Sequence, residues 1–196
     1  MSPALPDRVT IVSGLPRSGT SLMMQLLAAG GLEPLTDQVR TADGSNPKGY
    51  YEYEPVKSLA RDQSWLPQAR GKAVKVIVQL LQFLPAELTY HVVLMQRDID
   101  EVLESQATML GRQPPVSQVQ TLKATFQRHW DQARGNLESR ADCKLLVVQH
   151  RNLLTNPESE ISRLMEFFAP QQLKREEMLR VVDPALYRAR ASGESV

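Results

Sequence analysis

The chain contains a single cysteine, Cys143, in 196 residues. An intramolecular disulfide is therefore excluded, and so is any zinc site built on two or more cysteines. Such cysteine usage suits a reducing compartment, and a cytoplasmic location is the expectation. Surplus charge is lacking as well: 23 Lys and Arg stand against 22 Asp and Glu, a formal balance of +1. A chain so balanced has no general field to draw nucleic acid or an anionic membrane, so any anion must be held by a few local groups. Long apolar runs are missing too. The stretches Leu22 to Ala29 and Val74 to Leu84 are broken by Gln or Lys and fall short of the ~20 residues needed to span a bilayer, so no membrane segment is expected. Met1 to Arg8 holds two prolines and an acid and lacks the apolar centre of a signal peptide, so export is not expected.

What the chain does have is 42% apolar residues over a length suited to one sizeable core, and a single domain over 1–196 is expected. Four short runs rich in Val, Ile and Leu read as buried strands: Val9 to Val12, Ala73 to Val78, His91 to Met95 and Lys144 to Val148. Helical spacing fills the stretches between them. Asp98 followed by Glu101 forms a capping-box pattern that opens a helix to about Leu110, which Gly111 ends. Val116, Val119, Leu122, Phe126, Trp130, Ala133 and Leu137 recur at steps of three and four and predict the inner stripe of one long helix. Pro157 suits the first turn of a helix to Phe168. Strands alternating with helices give an α/β class: three layers, with a mainly parallel central sheet flanked by helices.

Leu35 to Tyr53 is different, with Asp43, Gly44, Asn46, Pro47 and Gly49 crowded into seven positions. This composition is a loop. Structureless connections beyond ~12–15 residues are uncommon in compact domains unless they carry function.

The first strand runs into Ser13-Gly14-Leu15-Pro16-Arg17-Ser18-Gly19-Thr20-Ser21 and then into an apolar helix. A glycine-rich turn between strand and helix aims backbone N–H groups and the positive helix end at one point, where a phosphate is best held. The hydroxyls of Ser18, Thr20 and Ser21 add donors. Gly14, Gly19 and Ser21 fit the Walker A pattern, but Thr20 stands where its lysine belongs, which disfavours a standard ATP or GTP site. Arg17 brings a planar, multi-donor cation that could fold over the bound anion.

The string GLPRSGTS before an apolar helix resembles the 5′-phosphosulfate-binding loop of the sulfotransferases, whose usual form is PKSGTT or PRSGTT. The Arg form is similar to that of tyrosylprotein sulfotransferases and many bacterial members of the family. The resemblance implies a P-loop-NTPase-like fold and 3′-phosphoadenosine-5′-phosphosulfate (PAPS) as co-substrate, with Arg17, Ser18, Gly19, Thr20 and Ser21 around its 5′-phosphosulfate. It also implies a second anchor, for the 3′-phosphate. Strand His91 to Met95 ends at Gln96-Arg97-Asp98, and Ser105 follows Arg97 by eight residues. An Arg and a Ser at this spacing hold the 3′-phosphate in sulfotransferases, and Arg97 and Ser105 match them.

Sulfuryl transfer needs a base for the acceptor proton and cations where charge builds on the leaving phosphate, much as phosphoryl transfer does. Lys75 lies inside an apolar strand, where a charge is costly without a partner. By resemblance it contacts the transferred group, with Arg17 as a second cation; no metal is required. Cytosolic relatives carry a His two residues beyond that lysine, but Ile77 and Val78 occupy the neighbourhood here. The segment Gly49-Tyr50-Tyr51-Glu52-Tyr53-Glu54 resembles the GY(F/W/Y)E of bacterial members, which points to Glu52 as the base, with Glu54 and Asp37 as alternatives. His150 stands where relatives have Tyr in a motif that Leu153, Leu154, Asn156 and Pro157 otherwise match, and it reads as structural. His91 and His129 carry no signal, Cys143 reads as core, and Arg180, Arg188 and Arg190 read as a basic, solvated end.

The reading is thus a PAPS-dependent sulfotransferase acting on a small-molecule, peptide or glycan acceptor. The alternatives are a divergent nucleotide kinase or NTPase, and a catalytically silent nucleotide-binding module.

Overall fold

A computed structural model describes residues 8–37, 39 and 49–183. Its framework is a four-stranded, wholly parallel sheet in the order β2-β1-β3-β4. The strands are β1 (Arg8–Gly14), β2 (Ala73–Ile77), β3 (Thr89–Gln96) and β4 (Cys143–Gln149), so each predicted apolar run is a strand. The second run stops one residue early: Val78 leaves the sheet to begin a 3₁₀ turn, Val78–Phe83.

Strand alternation divides the apolar residues between two faces. On one face, Val9, Ile11, Val74, Val76, Val92 and Leu94 pack beneath helix α3 (Val116–Glu138), through its Trp130, Ala133 and Leu137. On the other, Val12, Val93, Met95 and Val148 meet helix α1 (Thr20–Ala29), with Met23, Met24, Leu26 and Leu27, and helix α5 (Pro157–Phe168), with Ile161, Leu164 and Phe168. These make the three layers. Burying such a side chain contributes about 1.5–3 kcal/mol, which makes the two faces the main source of stability. The Trp130 indole keeps its polar edge satisfied by donating to the Met95 carbonyl at 3.1 Å.

The predicted stripe of α3 is buried only in its C-terminal half. Val116 is 89% exposed and Phe126 half-buried, whereas Trp130, Ala133 and Leu137 join the core beneath. Helix α2 (Ile99–Leu110) has both predicted ends. Asp98 Oδ1 accepts from the Asp100 and Glu101 amides at 2.8 and 3.2 Å, and Gly111 closes the helix at φ 65°. Cys143 is half-buried against the core, its thiol pushed up to about 11 chiefly by burial. Two short helices, α4 (His150–Thr155) and α6 (Arg175–Val181), and two 3₁₀ turns, Glu54–Ser58 and Leu66–Ala69, complete the regular structure among the described residues. No helix there is long and apolar enough to cross a membrane.

The strand order fixes where a ligand can sit. The chain leaves β1 into α1 on one face and leaves β3 toward α3 on the other, so the carboxyl ends of these adjacent strands flank a crevice. Ligands of open α/β sheets bind at such switch points.

Candidate active site

The glycine-rich segment emerges from β1 into this crevice. Two of its residues are left-handed, Arg17 at φ 71° and Gly19 at φ 95°. Gly14 and Gly19 are both needed for close approach. A Cβ on Gly14 would strike Ser18 Oγ and come within 3.1 Å of the Met95 carbonyl, and one on Gly19 would overlap the His150 ring. The loop delivers the chain to α1, whose first turn carries no acid, so the helix's positive end is not offset. Ser18 is fully buried. Its amide donates to Leu15 O at 3.1 Å, while its hydroxyl has no hydrogen-bond partner among the described residues. A buried polar atom left over by the fold's own bonding is costly, and an anion oxygen at the loop would satisfy it. The donor set therefore fits a phosphate or sulfate group.

Arg17 is a non-glycine residue held left-handed at a cost of about 1 kcal/mol. Bonds at both of its ends hold it there. Its carbonyl accepts from Arg97 Nη1 at 3.0 Å, and its own Nε donates to Ser105 Oγ at 3.0 Å. The structure thus brings Arg97, at the end of β3, and Ser105, on α2, to the loop residue Arg17. Arg97 also donates through Nε to Glu101 Oε2 at 2.9 Å, and this ion pair is buried, with side-chain exposures of 8% and 4%.

A second cluster forms on the β2 side. Lys75 Nζ donates to the Tyr50 carbonyl and lies 3.7 Å from Glu52 Oε1, with the Tyr50 ring 5.9 Å away. The same carbonyl accepts from Ser21 Oγ at 3.4 Å, which joins α1 to the segment carrying Glu52. That segment is rooted: the Glu52 carbonyl accepts from Thr36 Oγ1 at 2.8 Å and from the Asp37 amide at 3.3 Å. The three candidate carboxylates separate clearly. Glu52 faces Lys75, whereas Glu54 pairs with the exposed Lys57 at 2.8 Å. Asp37 accepts from the Glu54 amide at 2.6 Å, a bond that chiefly lowers its pKa. Ile77 pairs with Gly14 in the sheet and is 44% exposed two residues beyond Lys75, an apolar group where a histidine base would stand.

Two features of the site were not read from sequence. His150, read as structural, packs its ring on Gly19. Burial first, and then the charge of Arg97, press its pKa down to about 3, so a neutral imidazole supports the loop. Glu101, read only as a cap partner, is the buried counter-charge of Arg97; its spacing of four from both Arg97 and Ser105 was the available signal. His91 lies 5.0 and 5.8 Å from the Phe167 and Phe168 rings, near the amino end of β3 and away from the strand's carboxyl end. His129 pairs with Gln79 at 3.3 Å beside a cavity of about 400 Å³ between Val78–Phe83 and α3, which none of the motif residues lines. Asp43 to Pro47, Arg188 and Arg190 lie outside the described residues.

Comparison with solved structures places the fold among known ones. The sulfotransferase domain of the Synechococcus PCC 7002 olefin synthase superposes with a TM-score of 0.56 at 13% identity, covering 100% of this chain and 92% of that one. The sulfotransferase domain of the curacin biosynthetic pathway gives 0.47 at 16% identity, covering 91% and 78%. Retinol dehydratase in complex with retinol and PAP gives 0.49 at 17% identity, covering 91% and 65%. No protein-family model matches the sequence, and no curated protein matches it. The chain has a sulfotransferase-like α/β fold, with its parallel sheet and flanking helices.

Proposed function

We propose that this protein is a sulfotransferase that moves the sulfuryl group of PAPS to a hydroxyl or amine acceptor. The observation that carries the reading is the bonding of Arg17, Arg97 and Ser105 into one unit at the carboxyl ends of β1 and β3. The two halves of this unit suit the two ends of a nucleotide phosphorylated at both 5′ and 3′ positions. In this reading Arg17 to Ser21 hold the 5′-phosphosulfate, and Arg97 and Ser105 hold the 3′-phosphate. Ser105 accepts from Arg17 and so keeps its own O–H to donate to an anion oxygen.

Glu52 serves as the base. As the acceptor oxygen–sulfur bond forms, its proton passes to the Glu52 carboxylate. The bond from sulfur to the bridging oxygen breaks, and the electron pair stays on the departing phosphate, where Lys75 and Arg17 offset the charge. The 3.7 Å contact of Lys75 with Glu52 supports reading the two as a cation and a base that act together. A kinase or NTPase reading is less well supported: Thr20 stands at the Walker lysine, and β3 and β4 run out into Gln96-Arg97 and Gln149-His150 rather than an acid.

Calorimetric titration with adenosine 3′,5′-bisphosphate and with ADP, on wild type and Arg97→Ala, tests the assignment. Wild type should prefer the bisphosphate by about tenfold or more, as an added charge-assisted contact gives, and Arg97→Ala should lose the preference. Equal affinities, unmoved by the substitution, would sink it. Labelled PAPS with an acceptor panel then separates an enzyme from a silent binding module.

A further inference from the structure

Arg97 sits at the centre of a closed circuit of hydrogen bonds. Its Nε donates to Glu101, its Nη1 donates to the Arg17 carbonyl, and Arg17 Nε donates to Ser105 Oγ. Glu101 and Ser105 are one turn apart on α2, so the helix itself completes the ring. A buried guanidinium could satisfy itself in several directions, because its five donors lie in one rigid plane. Fixing the direction of the Nε–H within that plane sets where the other donors point. Glu101 fixes Nε, and its own place is fixed in turn by the Asp98 cap on its amide.

We infer that Glu101 is a positioning residue for the 3′-phosphate: its carboxylate oxygen orients the Arg97 guanidinium and, through the Arg17 carbonyl, couples that anchor to the 5′ loop. The inference rests on the nucleotide reading above. The carboxylate acts as a directed acceptor, and its negative charge is secondary. This differs from a plain buried ion pair, in which the charge itself would matter most because an unpaired Arg97 would be costly.

Two conservative variants separate these roles without emptying the site. Glu101→Gln keeps an acceptor oxygen at the same reach and removes the charge; Glu101→Asp keeps the charge and withdraws the acceptor by one methylene. Titration of each with adenosine 3′,5′-bisphosphate and with adenosine 5′-monophosphate isolates the 3′-phosphate, because the two ligands differ in nothing else. The affinity ratio should stay near the wild-type value in Glu101→Gln and fall about tenfold in Glu101→Asp, the range expected for losing a charge-assisted hydrogen bond. A variant that is merely less stable would lose affinity for both ligands in proportion, leaving the ratio unchanged. Loss in Glu101→Gln with retention in Glu101→Asp, or the same result in both, overturns the positioning role. If wild type does not distinguish the two ligands, the nucleotide reading itself fails, and this inference with it.

Discussion

Arg17 and Ser105 are 88 residues apart in the chain, yet Arg17 Nε donates to Ser105 Oγ at 3.0 Å. The contact joins a loop at the end of β1 to a helix that follows β3, so in the proposed reading the two anion anchors form one surface. Ser105→Ala should therefore weaken binding of adenosine 3′,5′-bisphosphate by about tenfold, more than it weakens adenosine 5′-monophosphate. Arg17→Lys should fail to restore wild-type affinity, since an ammonium cannot bond Ser105 through Nε geometry and face the ligand with a planar fork. Calorimetry on both variants reads this; an unaltered Ser105→Ala would break the link between the anchors.

The pairing of Glu52 with Lys75, and of Glu54 with Lys57, predicts unequal roles for two carboxylates of the same motif. Once an acceptor is found, Glu52→Gln should slow single-turnover sulfuryl transfer by about 10²–10⁴, the usual contribution of a general base. Glu54→Gln should stay close to wild type. The reverse order of effects would move the base to Glu54.

Gly19 combines φ 95° with the His150 ring directly against its Cα. Gly19→Ala should cost about 1–3 kcal/mol through backbone strain and overlap, and should abolish nucleotide binding. His150→Ala in the same chain would relieve the overlap but not the strain, so only part of the lost melting temperature should return. Full recovery would show that the left-handed conformation at Gly19 is dispensable.

His91 and His150 are both held neutral, at about 4 and about 3, burial being the main cause in each. Their unfolded values lie near 6.5, so between pH 6.5 and 4 the unfolded chain binds more protons than the folded one. Stability must then fall as the pH is lowered through that window. Each histidine should remove roughly 1–2 kcal/mol between pH 6.5 and 5. Denaturant titrations across this range should show the decline, and His91→Leu should flatten it; a slope that ignores the substitution would assign the loss elsewhere.

Much of the fold was legible in the sequence because β-branched runs bounded by helices admit few arrangements, and because Asp98 and Gly111 carry local cap chemistry. The limits of α3 burial were not. The period of Val116 to Leu137 tells which face is apolar, but the length of the surface it meets is set by strands elsewhere in the chain. Arg17, Arg97 and Ser105 were singled out by spacing and resemblance, whereas their mutual bonds were not legible, since those depend on how β1 and β3 lie side by side. Glu101 was hidden for a different reason: a cap partner and the counter-ion of a buried arginine look alike in sequence. His150 meets Gly19 only because β4 delivers it beside β3, a contact between segments over a hundred residues apart that no local pattern records.

The chain from Glu33 to Leu35 is bonded to the free side of β2, with the Ala73 amide donating to Glu33 O at 2.8 Å and the Leu35 amide to Ala73 O at 2.7 Å. Just beyond it, Thr36 and Asp37 hold the Glu52 carbonyl. The two roots of the connection are thus stitched to the sheet and to each other, which anchors the backbone of Glu52. Loop length costs little once the ends are fixed. A change of length between these roots should accordingly leave the Glu52 backbone bonded to Thr36 and Asp37.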